Sequence, residues 1–107
     1  MIQFKINGTT YDIEVVDEAI INNEMKSTWC LGLTNWETQK IMLRKNQVNI
    51  IKTLKHELTH VWLYEYGHNQ EQKQFNQEDV CEIVASINDF INEIVDLFKH
   101  YTGFGIN

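Results

Sequence analysis

Residues 3–16, QFKINGTTYDIEVV, alternate apolar and polar positions on both sides of Asn7-Gly8, a dipeptide that accepts the positive φ angles of a type I′ turn. A two-residue turn fixes the register, with Phe4 opposite Tyr11 and Ile2 opposite Ile13. Ile2, Phe4, Ile6, Tyr11, Ile13 and Val15 then share one face. A sheet with one apolar face needs a second layer to cover it. Helical spacing from about Asn49 to Tyr66, stopped by Gly67, supplies an apolar face of Ile51, Leu54, Leu58, Val61 and Trp62. A longer helix is predicted from about Gln77 to Tyr101, with one stripe of Val80, Ile83, Val84, Ile87, Ile91, Ile94, Val95 and Phe98. Between these lie a short helix, EAIINNEM, capped by Asp17, and a second hairpin: WCLGL, a turn around Thr34-Asn35, then QKIMLRK. The tail TGFGIN is irregular. The sequence therefore reads as a small α+β domain, antiparallel β-hairpins packed on two principal helices.

At 107 residues the chain has material for one core, so residues 1–107 form a single domain with its site on the surface of that core. No internal repeat or low-complexity run interrupts it. The net charge of −6 and the absence of a local Lys/Arg cluster argue against nucleic acid or an anionic membrane surface as partner. Protein or peptide partners remain, and the sequence does not fix an oligomeric state. The start carries no basic-then-apolar leader and no segment is apolar enough to span a bilayer, which points to the cytoplasm. Cys30 and Cys81 lack CxxC spacing, so two reduced thiols are expected.

The stretch 54–63, LKHELTHVWL, carries the chemistry. His56 and His60 stand at i and i+4, on one helix face about one turn apart, so their ring nitrogens can converge on one zinc ion (Zn2+) at ~2.0–2.1 Å. Glu57 is rotated by ~100° from His56, beside the metal and not on it, where a carboxylate can take a proton from the attacking water. A catalytic zinc usually has three protein ligands and an open position. Tyr66 stands where a third histidine at the spacing HExxHxxGxxH would fall. His68, His100 and Cys81 are alternatives, each with an ordinary surface or half-buried role open to it. NQEDVCEIVAS offers more: Glu78 and Glu82 lie one turn apart, so one can ligate zinc while the other accepts a hydrogen bond from a ligand histidine. The same residues, with Asp89, Glu93 and Asp96, also make an acidic stripe of the kind a solvated helix face carries. Ala85 and Ser86 on the side of Glu78 allow another helix to approach, and Glu78 is favoured as third ligand.

GLTNWETQKIMLRKN, NIIKTLKHELTHVW and EDVCEIVAS together resemble the small zincin metallopeptidases of the ImmA/IrrE type, found in bacteria, prophages and other mobile elements. The resemblance spans Gly32 to Ser86. It implies a β-hairpin ahead of the HExxH helix and a later helix with an ExxA-type motif. It further implies His56, His60 and Glu78 as zinc ligands, Glu57 as catalytic base and, by likeness to the wider gluzincins, Glu82 in support of a ligand. Thr59 stands where many relatives have glycine, and this chain has no proline after its alanine.

The function expected is zinc-dependent endopeptidase hydrolysis of a protein substrate, possible targets in such a family being repressors or other regulators. Tyr64, Tyr66, His68 and His100 are all open as the group that steadies the oxyanion. QKIMLRK could serve as an edge strand for an extended substrate, or as an ordinary sheet strand. The rival reading is a zinc-stabilised, non-catalytic protein-interaction module, because so short a chain has little wall from which to build substrate pockets.

Overall fold

The computed structural model describes residues 2–25, 30–67 and 76–105. Strands β1 (Ile2–Ile6) and β2 (Thr9–Val16) pair antiparallel with Ile2 opposite Ile13 and Phe4 opposite Tyr11. Asn7 and Gly8 turn the chain at φ 50° and 80°, as the dipeptide predicts. Ile2, Phe4, Ile6, Tyr11 and Ile13 are buried on one face, and the rings of Phe4 and Tyr11 stack at 5.6 Å.

After helix α1 (Glu18–Met25) come β3 (Gly32–Asn35) and β4 (Lys40–Arg44). Among the described residues the sheet has four strands in the order β1-β2-β4-β3. Strand β4 pairs antiparallel with β3 but parallel with β2, so the sheet is mixed and not antiparallel as predicted. The cause is packing on both faces. Ile41 and Leu43 of β4 join the main core, whereas Met42 points the other way into a second cluster with Val16, Ile21 of α1 and Cys30. A strand buried on both faces belongs in the interior of a sheet. Of the two positions open to QKIMLRK, the structure shows the ordinary sheet strand: among the described residues β4 lies between two strands, and β3 forms the edge. The turn also falls later than predicted. Thr34 and Asn35 still belong to β3, and the Asn35 side-chain oxygen accepts from the backbone N–H of Glu37 and Thr38 at 3.0 and 3.1 Å, folding residues 36–39 into the turn.

Helices α2 (Ile50–Glu65) and α3 (Gln77–Thr102) match their predicted spans within a residue. Asn49 caps α2 by accepting from Lys52 N, and Gly67 at φ 76° follows its end. Asn76 and Asp79 form a reciprocal capping box that starts α3. Leu54, Leu58 and Val61 of α2 are wholly buried against the sheet, with Ile94, Val95 and Phe98 of α3. The hairpin tip is tied to the end of α2: Asn7 Nδ2 donates to the Glu65 carbonyl at 3.0 Å and the Tyr11 hydroxyl to the Glu65 carboxylate at 2.5 Å.

The apolar stripe of α3 is buried only from Ile87 onward. Val80 and Val84, assigned to the core by periodicity, are 49% and 58% exposed. Both cysteines are free; Cys30 is buried and Cys81 exposed. Among the described residues no helix is long and apolar enough to cross a membrane.

Candidate metal centre

His56 and His60 project from α2 into solvent, their rings nearly perpendicular with centroids 4.7 Å apart. Their Nε2 atoms converge to 3.1 Å. Two nitrogens bound to one zinc at ~2.0–2.1 Å in tetrahedral geometry lie ~3.3–3.4 Å apart. The observed spacing therefore suits a shared cation after an opening of a few tenths of an ångström, which exposed side chains on one helix face permit. It also suits an imidazole–imidazole hydrogen bond, one ring donating and the other accepting.

Glu57, one residue on, turns inward. It is 7% exposed, and the Thr34 hydroxyl of β3, itself buried, donates to Oε1 at 2.9 Å. The second oxygen, Oε2, lies 3.9 Å from His56 Nε2. One oxygen is thus anchored to the sheet while the other faces the histidines. Gly32 makes this approach possible. A Cβ there would sit 2.6 Å from Thr53 Cγ2 and 3.3 Å from Glu57 Cγ, so any larger residue would force the Thr53 side chain or the strand to shift.

Two cavities flank Glu57 and share Gly32 with it, forming the halves of one groove along the seam of α2 and β3. One, of about 470 Å³, is lined by Cys30, Leu31, Lys52, Thr53 and His56; the other, of about 250 Å³, by Leu33, Thr34, Trp36 and His60. Cys30 donates its S–H to the Gly32 carbonyl at 3.1 Å. Burial, with the charge of Glu57 added, raises the pKa of this thiol, so the neutral form is favoured over a thiolate ligand.

No family model, no curated protein and no solved structure matches this chain.

Of the predicted site residues, the structure brings together His56, Glu57 and His60. Glu78 and Glu82 are exposed on the first turns of α3, as are Asp89, Glu93 and Asp96 further along. Among the described residues no group of three or more His, Cys, Asp or Glu side chains is arranged to hold a metal, so Glu78 does not join the histidine pair here. From Gln77 to Ser86 the helix is exposed except at half-buried Ile83. Of the alternatives, Cys81 is exposed, His100 rests its ring against Tyr101 at 5.1 Å, and His68 lies outside the described residues. Tyr64 stacks on Trp36 at 4.5 Å and Tyr66 packs on Trp62 at 4.8 Å.

Gly32, Thr34 and Trp36 escaped the sequence reading as parts of the site. Thr34 looked like a turn residue, and nothing local signals that its hydroxyl meets a carboxylate 23 positions away. A glycine two residues before a buried threonine in a short strand is the only trace.

Proposed function

We propose that this chain is a zinc metallopeptidase of the small ImmA/IrrE-like zincin type, acting in the cytoplasm on a protein or peptide. The observation that carries the reading is the convergence of the His56 and His60 Nε2 atoms at 3.1 Å beside a buried, sheet-anchored Glu57. His56 and His60 would hold the metal. Glu78 is the third ligand in this proposal, with Glu82 supporting a ligand histidine; both side chains are exposed and free to turn toward a metal.

When bound, zinc supplies Lewis acidity, polarising water and the scissile carbonyl. Everything else is assigned to the chain. Glu57 Oε2, on the histidine side, accepts the proton of the attacking water, and the same carboxylate returns it to the departing amine nitrogen. The Thr34 hydroxyl holds Oε1 so that the carboxylate cannot rotate away from the groove. The β3 edge offers backbone donors and acceptors to which an extended peptide can add as a further strand.

An exposed histidine pair with room around it favours catalysis over the zinc-stabilised interaction module, since a structural zinc closes its coordination with four protein ligands. The test is Glu57→Gln. The variant is expected to keep zinc and fold while hydrolysis of peptide substrates drops by ~10²–10⁴, the share general-base catalysis contributes. Undiminished cleavage would remove Glu57 from its role, and wild-type protein that binds zinc but cuts nothing would return the interaction module.

A further inference from the structure

We propose that the Trp36 end of the groove is a subsite for one aromatic or large aliphatic side chain of a bound peptide, on the amino-terminal side of the bond that faces Glu57. This deepens the peptidase reading and rests on it for the position of the bond.

The cavity there holds about 250 Å³, room for a single large side chain, and is lined by Trp36 and Thr34 together with Glu57 and His60, the side chain of Leu33 packing on the other face of the sheet. Trp36 is 40% exposed, yet its ring is held from two directions. It stacks on Tyr64 at 4.5 Å and meets the edge of buried Tyr11 at 6.5 Å, with planes at 89°. A ring fixed in this way forms a wall that needs no reordering to receive an apolar partner, and rigid aromatics of this kind are the usual anchors of recognition. Lys52 lines the other half of the groove and is absent from this one, where the only charged or titratable groups are those assigned to catalysis. With Glu57 and His60 engaged at the reacting bond, the exposed ring of Trp36 is the surface this half offers to an incoming side chain, and an aromatic ring favours an apolar one.

Direction follows from the packing. Gly32 lies against Thr53 and Glu57, Thr34 on Glu57, and Trp36 on Tyr64, so β3 and α2 advance the same way. Among the described residues β3 has no strand on its outer side. Antiparallel pairing is the more stable per residue, and a peptide added antiparallel to β3 runs from the Trp36 end toward Leu31. Residues upstream of the bond at Glu57 then face Trp36.

The test uses one randomised peptide library in two arms. In the first, zinc-loaded wild type, Trp36→Ala and Trp36→Phe digest the library and the cut products are sequenced; circular dichroism checks that each variant is folded. In the second, library members bound by Glu57→Gln, with and without Trp36→Ala, are sequenced uncut. Aromatic and large aliphatic residues should be enriched on the amino side of the cut and among bound peptides. Trp36→Ala should lower that enrichment ~10-fold, the equivalent of one good apolar contact, while Trp36→Phe preserves it. Enrichment among bound peptides without cleavage by the wild type upholds the subsite and overturns the peptidase reading. Enrichment confined to the carboxyl side, enrichment of charged residues, equal enrichment in folded Trp36→Ala, or none in either arm overturns the subsite.

Discussion

Glu57 takes its character from two neighbours, His56 along the helix and Thr34 across from the sheet. The HExxH spacing is local, so the convergence of the two histidines was legible from a few consecutive residues. That Glu57 would be buried was not, because burial depends on β3, which reaches it from 23 positions away. The Thr34 contact has a measurable consequence. Thr34→Val keeps the shape but leaves a buried carboxylate oxygen without its donor, a loss of ~1–3 kcal/mol in stability. Hydrolysis should fall in kcat with KM little changed, and Thr34→Ser should restore both. A full kcat in Thr34→Val would show that Glu57 needs no anchor. On α3, Glu78→Ala should strip most of the zinc, whereas Glu82→Ala should weaken affinity by ~10–100-fold, the usual loss when a group supporting a ligand is removed. If neither change affects metal content in equilibrium dialysis, the third ligand lies elsewhere and both carboxylates serve only a solvated helix face.

Among the elements, the clamp between β2 and the end of α2 gives a pH signature. Burial first, then the hydrogen bond to Glu65 and its negative charge, push the Tyr11 phenol well above its ordinary value. Below ~pH 10 the phenol is neutral in both folded and unfolded chains, and its contribution is complete. Above that the unfolded chain sheds the proton and the folded chain holds it, so stability declines as pH rises. Tyr11→Phe should lose ~0.5–1.5 kcal/mol near neutrality and show a shallower alkaline decline in urea unfolding; an identical decline would contradict the clamp. The first hairpin and both long helices were legible because their signals are local: Asn7-Gly8 sets the register, and Asn49 and Gly67 bracket α2. The parallel pairing of β2 with β4 was not legible, since nothing in KIMLR names its partner strand. Nor was the exposure of Val80 and Val84. Periodicity marks an apolar stripe but not how far along the helix the core extends.

At the scale of the whole molecule, the core and the proposed metal site are separate. The core runs through Phe4, Tyr11, Leu43, Leu54, Leu58 and Phe98, and none of His56, His60 or Glu78 belongs to it. Loss of zinc should therefore leave a folded chain, unlike small domains whose metal is their core. Bound zinc still stabilises the native state by mass action, so a chelator lowers the melting temperature without abolishing the cooperative transition. The most direct measurement is the metal content of the purified protein by elemental analysis, beside His56→Ala and His60→Ala with their folds checked by circular dichroism. The expected result is about one zinc per chain in the wild type and little in either folded variant. A wild type without zinc after equilibration with the metal, or variants that retain it in full, would contradict the metal centre and the hydrolysis assigned to it.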